Sequence, residues 1–386
     1  MTRFLILTSF VNCVYAKLIF VVGIYAHGDT APVYIPYPND VNDEISWPRG
    51  LGALTNKGIE RMYKLGVWLR KRYIEDTIFL HPSKLQSQVT MQSANSPNTV
   101  ESAQAVAAGL APAEGQEVWT KGELRSWQPF YIETLADAAH DIILRPAMFP
   151  CPSIDGEIVD EWKIIKHNFE GKHRVLLEKF ATLTGLSPFS FFMFGRLYGI
   201  QKEIEHGLPQ PDWVNEIYEG KKLIDWIREA KTLSRLHPFN TKEKGRARGG
   251  ALLNKIVEYL RNATYDIGGA KKAVFASTFD GTIAPLMYAM GIGNNQLVKS
   301  GSLLLMELHE KNEDFVVRIW WRNDTEHVQQ LVLPSCDLDC PLDDFADNLR
   351  SMRLTEYDAK QICGCATSYV SRLSMITLFL LILFTV

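Results

Sequence analysis

Leu18-Ile19-Phe20-Val21-Val22-Gly23-Ile24 runs without a break into Tyr25-Ala26-His27-Gly28-Asp29-Thr30-Ala31-Pro32. The first half is uncharged and rich in β-branched residues. That pattern predicts a strand buried on both faces, as in a parallel sheet. A His-Gly pair directly after such a strand lies where open α/β sheets place their ligands, at the carboxyl end. The turn-rich segment from Pro32 to Gly52 follows, punctuated by Pro36-Tyr37-Pro38-Asn39.

Outward from this stretch, strands and helices alternate. Thr55 is a plausible N-cap for a helix in which Ile59, Met62, Gly66, Leu69 and Tyr73 recur at three- and four-residue steps. Lys57, Glu60, Lys64, Arg70 and Lys71 take its other side. Val89–Ser93 reads as a strand and Thr99–Leu110 as the next helix, an order that implies right-handed parallel crossovers. From Trp127 to about Arg248 the pattern becomes helical, charged and interrupted by prolines. Gly249-Gly250 leads into another amphipathic helix, and Lys272–Ser277 is a short buried strand with a helix from Thr282 to Met290. Leu303–Leu308 and Phe315–Trp321 suggest an antiparallel pair near the sheet edge. The expected fold is α/β: a three-layer domain with a mainly parallel central sheet flanked by helices, plus an inserted α-helical cap. The core comprises 17–126 and 249–365, and the cap 127–248.

With 46% hydrophobic and 22% charged residues in 386, the chain has an ordinary globular composition. A net charge of −3 gives no electrostatic reason for a nucleic-acid partner. Residues 1–16 carry Arg3, an apolar run and Val14-Tyr15-Ala16, which together read as a secretory signal peptide cut before Lys17. Residues 366–386 end in the apolar Leu373–Val386, preceded by small residues. This tail reads as a membrane anchor or a glycosylphosphatidylinositol signal.

Five cysteines remain after the signal, so at least one lacks a partner within the chain. Cys336 and Cys340 are near enough to clip a loop. Cys151 with Cys363 is the second expected pair, with Cys365 left over or exchanged for Cys363. A zinc site would need His or Cys partners at ligand spacing, and the sequence offers no such set. Neither a metal nor a cofactor is expected. Asn262 and Asn323 begin glycosylation sequons, which matter in an exported chain.

The His27 stretch resembles the Arg-His-Gly-x-Arg-x-Pro signature of histidine acid phosphatases, with His27, Gly28 and Pro32 in place. Leu54-Thr55 through Leu69-Arg70 is similar to that family's first helix, and Ser93 through Gln104 to its second strand–helix unit. Ser277 through Ala284 resembles its His-Asp motif, and Leu333 through Leu342 its C-terminal disulfide loop. The resemblance spans about Lys17 to Cys365. It implies a covalent mechanism in which His27 attacks phosphorus and Asp280 protonates the leaving alkoxide. Ala26, Thr30 and Asn98, however, stand where the family has phosphate-holding arginines, and Phe279 replaces its second histidine. Gln92 replaces a further arginine common in the family. Asp280 could instead cap its helix, and His27 could be a core histidine. Arg49 could supply a relocated cation or simply face solvent.

The expectation is therefore a secreted, membrane-tethered family member with impaired or absent phosphomonoesterase activity. The alternative is a working acid phosphatase using His27 and Asp280. The expected partner is a phosphomonoester, a less anionic small molecule or a protein, with membrane contact through the tail.

Overall fold

The computed structural model describes residues 16–364, apart from 136, 267 and 324–326. Residues 1–15 of the expected signal peptide, Cys365, the C-terminal tail and the remainder of the Asn323 sequon lie outside the described residues. Strand β1 (Lys17–Ala26) is central, as its composition requires. On one side it pairs in parallel with β4 (Ala273–Thr278), then β2 (Val89–Ser93) and β3 (Ile132–Thr134). On the other it pairs antiparallel with β5 (Leu303–Lys311), which joins β6 (Asp314–Arg322). β7 (Gln329–Leu331) and β8 (Cys340–Pro341) both pair with β6. The resulting order is β8-β6-β5-β1-β4-β2-β3.

Two-residue alternation along β1 builds a core on each face. Val22, Ile24 and Ala26 pack with Leu253, Ile256 and Leu286 on one side. Val21 and Tyr25 meet Met62, Leu65 and Val106 on the other. The second face is covered by α1 (Asn56–Arg70) and α2 (Pro97–Leu110), the first by α8 (Lys242–Tyr265) and α9 (Asp280–Ala289). The three-layer α/β expectation holds. Thr55 caps α1, its Oγ1 accepting from the Gly58 amide at 2.9 Å. The α1 and α2 backbones touch where both lack side chains: a Cβ on Gly66 would lie 2.1 Å from the Val106 carbonyl oxygen, and one on Gly109 2.2 Å from that of Tyr63.

The helix expected after Gly249-Gly250 starts earlier, at Lys242, with Thr241 Oγ1 accepting from the Lys244 amide. The glycines are interior because α8 runs against α9 there; a Cβ on Gly249 would sit 2.5 Å from the Pro285 carbonyl oxygen. They mark a helix crossing, and the sequence pattern alone does not separate that from a helix boundary.

Between β3 and α8 lie α3 (Pro152–Lys172), α4 (Arg174–Thr184), α5 (Met193–Leu197), α6 (Gly199–Glu205) and α7 (Leu223–Leu236). They enclose an aromatic core of their own, including Trp162, Phe180, Phe189, Phe191 and Phe194. Two short helices close the described chain: α10 (Leu342–Asn348) and α11 (Glu356–Ile362). Cys151 bonds to Cys363, tying the start of α3 to the end of α11, and Cys336 bonds to Cys340. Asn262 is exposed on α8. Asn323 Oδ1 accepts from Ser302 Oγ at 2.6 Å. Among the described residues no helix is long and apolar enough to cross a membrane.

Candidate active site

The loop after β1 is fixed by backbone bonds on both sides. The His27 amide donates to the Thr278 carbonyl at 2.9 Å, and the Gly301 amide donates to the His27 carbonyl at 3.0 Å. The Gly28 amide donates to Ser102 Oγ at 3.0 Å, binding the loop to α2. His27 Nδ1 lies 2.7 Å from the Gly28 carbonyl oxygen, so that nitrogen carries the proton and Nε2 keeps its lone pair. Burial lowers the His27 pKa; Lys202 and Arg235 push the same way, while the Gly28 carbonyl and Asp280 partly oppose them. A neutral imidazole with a free Nε2 is the form a nucleophile needs.

Asp280 is the first residue of α9, with Phe279 at the N-cap. Its carboxylate accepts from Arg235 Nε at 2.6 Å and from Arg235 Nη2 at 2.5 Å. Burial alone would raise the Asp280 pKa. The charge of Arg235 and its two hydrogen bonds outweigh burial and hold the carboxyl far below the usual range. The structure thus brings His27 and Asp280 together, but with Asp280 ionised.

The four positions where the resemblance expects phosphate-holding groups have local surroundings of their own. Ala26 is buried, opposite Thr278. Thr30 is buried and accepts at both its carbonyl and Oγ1 from Lys202 Nζ, each at 2.8 Å. Asn98 Nδ2 donates to the Gly52 carbonyl at 3.0 Å. The Phe279 ring meets His27 edge-on at 5.5 Å, with the Arg145 guanidinium 5.5 Å from the Phe279 centroid. Gln92 turns to Glu133 at 3.2 Å. Arg49 is bound to the Leu54 carbonyl and to Glu101, at 2.6 and 2.9 Å.

Lys202 of α6, and Lys231 and Arg235 of α7, went unrecognised in the sequence. All three are close enough to Asp280 to interact with its charge. Burial lowers the Lys231 pKa to about 7, with Arg235 and Lys202 adding to the effect and Asp280 opposing it. Lys231 Nζ lies 5.6 Å from the Tyr198 ring centroid. A signal existed: Ile224, Ile227 and Lys231 follow helical spacing, placing a lysine on the buried face of α7.

Beside Lys202, Glu203 Oε2 accepts from Asn42 at 3.0 Å and from Gln210 at 2.9 Å, joining α6 to the loop after His27. Burial, reinforced by the charge of Asp40, raises the Glu203 pKa to about 7. The folded chain therefore keeps this proton at pH values where the unfolded chain has lost it. The stability linked to it is complete below the ordinary glutamate pKa and is lost as pH rises through about 7. His27, His173 and His237 have lowered pKa values and bias stability the other way, so the comparison must be with a variant. Relative to Glu203→Gln, the parent is expected to lose about 2–3 kcal/mol between pH 5 and 8. Thermal melts of both across that range measure it, and parallel pH profiles would refute it.

With this geometry established, comparison with known proteins places the chain. A family model for the histidine phosphatase superfamily (branch 2) matches residues 16–322. The chain belongs to this superfamily. Human prostatic acid phosphatase is 32% identical over 340 residues, covering 86% of this chain and 84% of that protein. Lysosomal acid phosphatase of Xenopus laevis is 28% identical over 351 residues, covering 89% and 78%. Among solved structures, apo phytase of Hafnia alvei superimposes with a TM-score of 0.62 at 16% identity, covering 90% of this chain and 98% of that one. This last likeness concerns the fold.

Proposed function

We propose that this histidine phosphatase superfamily member works in the secretory pathway, held at a membrane by its C-terminal segment, with impaired or absent phosphomonoesterase activity. The observation that carries the reading is the Arg235 clamp on Asp280. Among the described residues, it favours the ionised form of the acid placed beside His27 and engages the Arg235 guanidinium there. Ala26, Thr30, Asn98 and Phe279 meanwhile provide no charge. Phosphoryl transfer depends mainly on positioning and on electrostatic stabilisation of the equatorial oxygens. Each missing preorganised donor costs about 10²–10³ in rate. The two disulfides and the likeness to lysosomal acid phosphatases support the secretory location. The apolar run Leu373–Val386 supports the tether.

The second reading, an active acid phosphatase, is favoured by the neutral His27 with its unprotonated Nε2. Assayed on an aryl phosphate at acid pH beside human prostatic acid phosphatase, the purified chain is expected to be at least ~10⁴-fold slower, the loss of a few such donors. Comparable rates would favour the second reading.

A further inference from the structure

The last turn of α8 carries Asn262-Ala263-Thr264, and the three side chains have different surroundings. Ala263 is buried in the core beneath the helix. Thr264 Oγ1 donates to the Arg261 carbonyl at 2.8 Å. Asn262 faces solvent, as does Tyr265, which is 89% exposed. Residues three apart are neighbours on a helix surface, so Tyr265 stands beside Asn262. From Tyr265 a groove of about 740 Å³ opens towards the end of the sheet. Tyr265, Phe315 and Leu342 line it together with the polar Asn312, Asp314 and Asp343. Here β8 pairs with β6 only at Val316 and Val317, a short edge of the kind that proteins keep covered.

We infer that Asn262 is the acceptor of an N-linked glycan whose first sugars lie in this groove, against Tyr265 and Phe315. The inference rests on the secretory location proposed above. In the transfer, Asn262 Nδ2 bonds to the anomeric carbon of a lipid pyrophosphate-linked oligosaccharide. The anomeric carbon–oxygen bond breaks, the lipid pyrophosphate leaves with the electron pair, and the amide gives up one proton. Once α8 forms, the Thr264 hydroxyl is bonded within the helix, so transfer precedes folding and the folded chain must accommodate the product. Asn262 does so because it projects into water. A pyranose has a face of C–H bonds and a rim of hydroxyls. The face packs on aromatic rings and the rim bonds to amides and carboxylates, which is the mixture this groove offers. A sugar tethered one residue from the groove wall is at high effective concentration there, so weak contacts suffice to hold it.

The full chain is expressed in a glycosylating eukaryotic host, both with its own leader and with residues 1–16 exchanged for an established secretory leader. Peptide mass spectrometry after enzymatic release, which converts a modified asparagine to aspartate, is expected to show modification at Asn262 and none there in Thr264→Ala. Release of the glycan from the folded protein by peptide-N-glycosidase reads the docking. Tyr265→Ala is expected to speed it about threefold or more, the effect of losing one aromatic contact. A melting temperature within a few degrees of the parent certifies that this variant is folded. Unmodified Asn262 in the exported chain, or release at an equal rate from folded Tyr265→Ala, overturns the inference. A chain that stays in the cytosol with its own leader, yet is modified at Asn262 with the exchanged one, overturns the secretory reading and leaves the acceptor site standing.

Discussion

A chain carrying Ala26→Arg, Thr30→Arg, Asn98→Arg and Phe279→His, together with Lys202→Ala, is expected to hydrolyse an aryl phosphate at least ~10³-fold faster than the parent. The added Lys202→Ala change follows from the geometry. Lys202 Nζ is bonded to Thr30 at two oxygens, so an arginine at position 30 would meet a buried ammonium of like charge. Phe279 already touches the His27 ring edge-on at 5.5 Å, close enough for an imidazole there to share a bound oxyanion. Asn98 has only a single bond to the Gly52 carbonyl to give up. Ala26 is the demanding position, because its side chain belongs to the core beneath α8 and α9. Steady-state kinetics on the five-fold variant, with a melting curve to establish folding, make the comparison. A folded variant no faster than its parent would mean that the replaced positions are not what limits the pocket.

Cys151→Ser is expected to lower unfolding stability by about 5 kcal/mol, by the chain-entropy argument for a loop of this length. The bond to Cys363 spans 212 residues, and both sulfurs are buried in a small cluster with Ile142, Phe149, Ala251 and Leu354. The span contains the helices that bring Lys202, Lys231 and Arg235 near Asp280. Opening it lets the unfolded chain expand and loosens the anchorage of the inserted region. Urea unfolding of parent and variant measures the difference. A loss under about 1 kcal/mol, well below the ordinary range for native disulfides, would show that the helices are held by packing alone.

The sequence reading and the structure part company along physical lines. β1 was legible because seven uncharged residues in succession suit a strand covered on both faces, and the alternation of Val21 and Tyr25 against Val22 and Ile24 confirms it. Thr55 was legible as a cap because a side-chain oxygen three residues before Gly58 is a local feature. Both disulfide pairs formed as expected, and Arg49 proved to be tied into its own loop. The start of α8 was misplaced because two consecutive glycines look the same at a helix crossing and a helix end.

The cations were harder to read. Lys202 and Lys231 lie more than 170 residues beyond His27 in sequence, and only the docking of α6 and α7 brings them near Asp280. Lys231 still left a trace, as the one charged residue in the Ile224–Ile227 stripe. Lys202 left none, since nothing local distinguishes a lysine that finds Thr30 from one that faces water. The Arg235–Asp280 clamp was likewise invisible, being a contact between residues 45 positions apart. It matters most here, because the Arg235 pair favours the ionised form of the expected acid.

Turnover of an aryl phosphate at pH 5 by the parent and by His27→Ala, measured side by side, separates an impaired pocket from a working one. The parent rate is expected to lie at least ~10⁴-fold below that of an arginine-bearing relative, leaving little for His27→Ala to remove. A parent rate within tenfold of that relative, abolished by His27→Ala, would contradict it.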